Sequence, residues 1–544
     1  MQKMKILLWM LCSGVCVHAQ DQYSNYSQLT ARVQAIGKNF SRFATVKSIG
    51  TTSGGKELWM ITIGTGTTAG KPAIAVIGGV EGNHLLGTEL AIGFAENLLR
   101  GSNSDSIQSL LNLSTYYVFP NMMPDATENY FGRLRYERIG NATETDDDRD
   151  GAVNEDGYDD LDGNGRITWM RVESPIGQYR THPDDDRILI RTDIAKKDKG
   201  KYMLYSEGID NDKDGSFNED GPGGVALNKN LTFKHPSFTP GSGEFPVSEK
   251  ESRALLDQLF ELFNVHTIVS FGSNNNLSTP VSYNAQAASQ RIVAGYQETD
   301  AKMNALVSEL YNDVMGVKDA PKTTAAGGDL LSWGYYHYGR NSFSTPGWWL
   351  PKAKPDTAKK EKAFAVEDDQ ANYLRWSSQQ QLPPAFTPWK AIQHQDFPGQ
   401  VVEVGGVDPF VLLNPPYNLV PAITRKHTEF LIRLAAYQPD LEIVNVKSEK
   451  LGNNVVRISA DFMNKGTLAS HTKLGERSYW VKRISVKLTT ASGQSIVSGK
   501  KSQLLNSVEG FSTQKLTWLV KGNGTVSIEA GSPATGTKKA TVPL

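Results

Sequence analysis

The run Ala73-Ile74-Ala75-Val76-Ile77 is apolar at every position and passes directly into Gly78-Gly79-Val80-Glu81-Gly82-Asn83-His84, after which Leu85, Leu86, Leu90, Phe94 and Leu98 recur at helical spacing. A strand with no polar face must be covered on both sides, and a strand, a glycine turn and an amphipathic helix in that order form a βα unit. The layout returns where Leu255, Leu256, Leu259 and Phe263 mark a helix that precedes Val265 to Phe271. Residues 20–438 therefore read as α/β, a mixed or largely parallel sheet flanked by helices. Chemistry in such folds sits at the carboxyl ends of the strands.

Past Pro439 the period changes to two. Val456, Ile458, Ala460 and Phe462 alternate with Arg457, Ser459 and Asp461, and Ile484, Val486 and Leu488 alternate with Ser485 and Lys487. Leu516, Trp518 and Val520 continue the rhythm into the turn Lys521-Gly522-Asn523-Gly524. Residues 439–544 are thus expected to form a small all-β sandwich, an accessory domain without catalysis. The Lys/Pro-rich stretch from Pro351 to Lys362 reads as an exposed loop.

Lys3 and Lys5, an apolar run from Ile6 to Val17, and Val17-His18-Ala19 before Gln20 have the three-part layout of a cleavable secretory signal over residues 1–19. The run is shorter than the ~20 residues a membrane anchor needs, so a secreted or periplasmic protein without membrane insertion is expected. Both cysteines, Cys12 and Cys16, lie inside this signal. Any metal in the mature chain must then use His and carboxylate ligands. With 57 Lys+Arg against 58 Asp+Glu, the net charge of -1 gives no electrostatic case for nucleic acid.

Two near-repeats stand in the middle of the chain: Asp146 to Gly157 is echoed by Asp210 to Gly221, with Asp160-Leu161-Asp162-Gly163-Asn164-Gly165 between them. Oxygen ligands at the first, third and fifth positions with Gly at the sixth match the geometry of calcium loops, which makes Asp146, Asp148, Asp150, Asp160, Asp162, Asn164, Asp210, Asp212 and Asp214 candidate ligands. Gly157 and Gly221 stand where an EF-hand has its bidentate acid, so other acids, Glu155, Asp156, Glu219 and Asp220, would have to close the shells. Solvated acidic loops are the competing reading.

The segment Gly78 to Glu89 resembles the first zinc motif of the metallocarboxypeptidase (zinc carboxypeptidase) family, in which a strand ends in a His-x-x-Glu pair that opens a helix. Here the pair is reversed, with Glu81 where the family has His and His84 where it has Glu. Gly224 to Asn230 resembles the segment whose Asn and Arg grip the substrate's terminal carboxylate, with Asn228 kept and Lys229 in place of the Arg; Arg138 falls near a second carboxylate-polarising Arg. The strand ending Ser270-Phe271-Gly272-Ser273 resembles the one that delivers the third zinc ligand, at Gly272. Gly327 to Pro346 resembles the segment ending in the catalytic Glu, at Pro346, and the family's substrate-capping Tyr falls near Thr323. The Asp-rich insertion and Phe397 to Gly406 are similar to those of a bacterial subgroup that also carries a C-terminal β-domain.

The resemblance implies a carboxypeptidase-like fold whose zinc site keeps only two ligand-capable side chains, Glu81 and His84, and whose general base is gone. The expectation is an inactive pseudopeptidase that binds a peptide, protein or glycan, with Asn228, Lys229 and Arg138 presenting donors to an anionic group and Glu81 raising the pKa of a charged His84. The alternative is an active enzyme with rearranged zinc ligands. Glu403 is the stand-in base, or else a structural carboxylate; His266 reads as a packed strand histidine; and Trp333, Tyr335, Tyr336, Tyr338, Trp348 and Trp349 read as core or as pocket lining. A structural or adhesive role built on the β-domain is a third reading.

Overall fold

The computed structural model describes residues 22–146, 151–154, 156–218, 223–316, 319–321, 327–355 and 362–544. The signal segment, Asp148, Asp150, Glu155, Glu219, Asp220 and Thr323 lie outside them.

The central sheet has six strands in the order Ala44–Thr51, Glu57–Ile63, Thr115–Phe119, Ala73–Ile77, Val265–Phe271 and Asn341–Thr345. The last four run parallel, and the first two add antiparallel at one edge. Every residue of those four parallel strands is buried, as the apolar run Ala73–Ile77 requires, and the polar residues of Asn341–Thr345 are enclosed with it. On one face the helices Tyr26–Asn39, Leu85–Arg100, Glu298–Met315 and Val420–Ala435 close a core around Phe94, Tyr116, Tyr311 and Phe430. On the other, Lys250–Glu261 and Leu330–Tyr336 cover Leu255, Leu259, Ile268 and Trp333.

The Asp-rich insertion is more than loops. Between its acidic turns lie the strands Trp169–Glu173, Tyr179–His182, Asp185–Arg191 and Tyr202–Ser206, which join Phe386–Ile392 and Val402–Val407 in a second, antiparallel six-stranded sheet. Glu403 therefore sits opposite Arg171 in the ladder and pairs with its guanidinium at 2.7 Å. Arg171 is itself held between the rings of Tyr202 and Trp389, 4.8 and 4.3 Å from their centroids. This is the structural carboxylate of the two readings of Glu403.

Beyond residue 440, two four-stranded sheets face each other across one core that includes Ile458, Phe462, Val486, Leu488, Trp518 and Ile528. The segment Ala469 to Trp480 fastens this unit to the central sheet. Asp300, 6% exposed, accepts the amides of Lys473 and Leu474 at 2.7 and 3.1 Å and the Tyr335 hydroxyl at 2.8 Å. His266 Nε2 donates to the Ala469 carbonyl at 2.9 Å, and burial pushes its pKa down to about 4, so it is the packed strand histidine. The Arg340 guanidinium donates to the carbonyls of Phe263 and Trp480 at 3.2 and 2.7 Å, and Trp480 stacks on Phe260 at 3.8 Å.

Replacing Asp300 strands two amides and a hydroxyl in a buried seam. Asp300→Ala is expected to lower stability by about 2–4 kcal/mol and to expose the 469–480 segment to protease. Urea melts with limited proteolysis check this, against the exposed Lys302→Ala; equal behaviour of the two variants would show that the seam does not depend on Asp300.

Candidate functional site

The turn after Ala73–Ile77 is shaped by close approach of backbone. Gly79 has φ +57°, and a Cβ there would lie 2.2 Å from Asn121 Oδ1; one at Gly82 would lie 2.1 Å from Ala126 Cβ. Only a chain without side chains at these positions can pass so tightly over the end of the neighbouring strand and deliver Glu81 to the carboxyl edge of the sheet. There Glu81 Oε1 accepts Asn228 Nδ2 at 2.8 Å and Ser273 Oγ at 2.6 Å, while Oε2 accepts the Ser273 amide at 3.0 Å. Asn228 stands on the one-turn helix Leu227–Asn230, and its Oδ1 accepts the Leu330 amide at 3.1 Å.

Gly272 ends the adjacent strand at the same point. A Cβ on it would lie 3.7 Å from the Glu81 carboxyl carbon and 3.4 Å from Asn228 Nδ2, but only 2.6 Å from Val80 Cγ2. The fold thus brings Glu81, Asn228 and Gly272 together, and Val80 occupies the space into which a side chain at 272 would grow.

His84 is 3% exposed. Its Nε2 donates to the Pro346 carbonyl at 3.1 Å, and its buried Nδ1 has no hydrogen-bond partner among the described residues. Burial lowers its pKa, and this outweighs the opposing field of Glu81. The expectation that Glu81 raises the pKa of His84 is corrected: desolvation is the larger effect and lowers it. Lys229 Nζ donates to the Pro240 carbonyl at 3.1 Å, and the Arg138 guanidinium donates to the Asn141 carbonyl. Both basic groups expected to face a ligand carboxylate are bonded to backbone.

Two site residues escaped the sequence reading. Ser273 supplies two of the three bonds to Glu81, and its only signal was its place after Gly272. Asp329 caps the helix Leu330–Tyr336 through the Ser332 amide at 2.8 Å; burial, then Glu81's charge, holds its carboxyl above the usual range. Trp333, Tyr335 and Tyr338 are each 1% exposed and pack as core, Trp333 stacking on Tyr338 at 5.1 Å. Trp348 and Trp349 line a separate cavity of about 770 Å³ beside Met315 and Ile423.

The three Asp-rich loops close identically. Asp146, Asp160 and Asp210 each accept, through Oδ2, the amide five residues on, from Gly151, Gly165 and Gly215 at 3.2, 2.8 and 3.1 Å. Those glycines have φ of +103°, +78° and +98°. The first and third loops are joined by Asp156, 1% exposed, whose Oδ1 accepts the Asn211 amide at 2.9 Å. Among the described residues, carboxylate oxygens of Asp160, Asp162 and Glu207 gather within 4.8 Å of one another, as do those of Asp210, Asp212 and Asp214. Glu207, fully buried and bonded to the amides of Leu161 and Thr168 at 2.9 Å each, was not foreseen. Asn164 directs its Oδ1 to the Arg166 amide at 2.8 Å. Neither three-acid group includes Glu81 or His84.

Residues 29–346 match the zinc carboxypeptidase family, and the chain belongs to it. Zinc is that family's cofactor. Residues 440–543 match a domain of unknown function. Carboxypeptidase E of Caenorhabditis elegans is 34% identical over 117 residues, 20% of this chain and 24% of that protein. Carboxypeptidase M of Mus musculus is 25% identical over 126 residues, 22% of this chain and 28% of that protein. The chain thus spans about a quarter of the length of these relatives. Among solved structures, thrombin activatable fibrinolysis inhibitor covers 76% of this chain and 75% of its own at 11% identity, with a TM-score of 0.41. Carboxypeptidase A from Helicoverpa armigera covers 66% and 72% at 17% identity, with a TM-score of 0.37. No helix among the described residues is long and apolar enough to cross a membrane.

Proposed function

We propose that this member of the zinc carboxypeptidase family is a secreted, non-catalytic binding protein for a peptide or other anionic ligand, of a bacterial subgroup with an Asp-rich insertion and a C-terminal β-domain. The observation that carries the reading is the state of the two ligand-capable side chains. Glu81 accepts three hydrogen bonds from Asn228 and Ser273, and His84 Nε2 is engaged by the Pro346 carbonyl while its Nδ1 has no partner among the described residues. A catalytic zinc needs three protein ligands and an open position for water. The side chains at the old metal position do not fit that need, since Gly272 offers no ligand and Val80 fills its space. Pro346 offers no carboxylate to take a proton from water, a role that contributes about 10²–10⁴ in rate.

The same reading assigns calcium to the Asp-rich loops. Like-charged carboxylates brought together in Asp160, Asp162 and Glu207, and in Asp210, Asp212 and Asp214, repel one another unless a cation lies between them. Hard oxygen donors without nitrogen or sulfur suit calcium rather than zinc.

Incubated with peptides bearing free C-termini, with and without added zinc, the purified protein is expected to release no terminal amino acid above the protein-free rate. Robust, chelator-sensitive release would overturn the proposal in favour of an enzyme with rearranged ligands. EDTA is expected to lower the melting temperature and to admit protease within residues 146–221, with calcium restoring both. If neither responds, the loops are solvated acidic turns.

A further inference from the structure

We infer that the C-terminal unit, whose residues 440–543 match a domain of unknown function, is a docking surface for an acidic polysaccharide. The surface is separate from Glu81 and His84, and the inference does not depend on whether the peptidase-like unit is catalytic.

Charge is divided unevenly along the chain. Residues 440–544 hold 15 Lys and Arg against 7 Asp and Glu, a net charge of +8, while the rest of the chain carries -9. Five of the seven acids are already paired: Asp440 and Glu442 with Lys465, Glu449 with Arg457, Glu476 with Lys473 and Glu529 with Lys539. Lys447, Lys487, Lys500, Lys501, Lys515 and Lys521 are all exposed, and none is in an ion pair with an acid among the described residues. Lysines at a sheet edge deter pairing with another chain. Two at the edge meet that need, and the excess on the faces of both sheets goes beyond it.

One sheet of the unit runs Ser502–Leu504, Ser485–Thr489, Thr525–Ser532, Gly536–Pro543. Val486, Leu488, Ile528 and Val542 face the core, so the alternate residues form the open face. Register sets Lys487 between Ser502 and Glu529, with Lys539 beyond Glu529; in the next row Thr489, Ser527 and Thr541 stand side by side. The hydroxyls of Ser485, Thr489, Ser502, Ser527 and Thr541 bond to no group among the described residues. At the edge, the chain from Gly499 to Lys501 crosses from the other sheet. The Lys501 carbonyl accepts the Leu488 amide at 2.9 Å and the Lys500 carbonyl accepts Trp518 Nε1 at 2.9 Å, which fixes both lysines beside Lys487. Gly499, at φ +94°, permits the crossing, since a Cβ there would lie 2.6 Å from Trp518 Cδ1.

This chemistry selects among polyanions. Open hydroxyls interleaved with lysines on a flat face match a polymer that carries hydroxyls and an anionic group in each repeat, whereas an acidic polypeptide carries no hydroxyls. The cations are mainly lysines, point charges without the planar fork that favours phosphate, and Arg483 is held by the Leu505 carbonyl and Asn506 Oδ1 at 2.9 and 3.0 Å. No aromatic residue stands on the open face to stack a nucleic-acid base. Leu504 is the one large exposed apolar side chain on it, too little to enter a lipid surface.

Calorimetry on the full-length protein in EDTA, which keeps calcium from bridging carboxylates, tests this with polygalacturonate, poly-L-glutamate of equal charge, duplex DNA and neutral dextran. Polygalacturonate is expected to bind at least about tenfold tighter than any of the others and to weaken as salt is raised. Lys487→Glu with Lys501→Glu is expected to weaken it at least about tenfold with an unchanged melting curve, and Lys38→Glu, outside the unit, to leave it unaltered. Thr489→Val with Thr541→Val is expected to weaken polygalacturonate and leave poly-L-glutamate unchanged. Absent binding of polygalacturonate, equal or tighter binding of poly-L-glutamate or DNA, or no loss on reversing Lys487 and Lys501 would each overturn the assignment. Self-association at low salt that those two reversals abolish, without polymer binding, would place a second copy of the chain there instead.

Discussion

The carboxylate of Glu81 is the joint on which the site depends. Three neutral donors from two segments, the Asn228 amide group on its short helix and the Ser273 amide and hydroxyl at the end of the strand, converge on a group that the Gly78–Gly79 turn pushes to the sheet edge. Hydrogen bonds to a charged group contribute about 1.5–3 kcal/mol each, and together they solvate an anion that would otherwise call for a cation. Asn228 passes the constraint on to the Leu330 amide, and so to the helix that Asp329 caps.

Around that joint the parts support one another physically. Val80 packs where a residue larger than Gly272 would go, and the Pro346 carbonyl takes up His84. The second sheet, locked by Arg171 and Glu403, is flanked in sequence by the three acidic loops and supplies Asp408 just past the end of its Val402–Val407 strand. The C-terminal sheets are fastened by buried polar contacts at Asp300, His266 and Arg340, so they are a packed continuation of the molecule.

Much of the fold was legible because periodicity reports burial directly. The unbroken run Ala73 to Ile77 became a strand buried on both faces, and the alternation from Val456 to Phe462 became one with a single buried face. The second sheet was missed because its strands are short and charged, and because Val402–Val407 pairs with Trp169–Glu173, more than two hundred residues earlier, which no local pattern encodes. At the site, the motif order placed Glu81, Asn228 and Gly272 together. The direction of Lys229 and Arg138 and the balance between burial and charge at His84 depend on side-chain packing and were not readable.

On the non-catalytic reading, the position around Glu81 and Gly272 is closed by the protein's own hydrogen bonds. Titration of zinc into chelator-stripped protein, with the acidic loops first saturated by calcium, tests it most directly. No stoichiometric zinc site whose affinity changes on Glu81→Gln or His84→Ala is expected. One tightly held zinc per chain, retained through dialysis and lost in both variants, would contradict it.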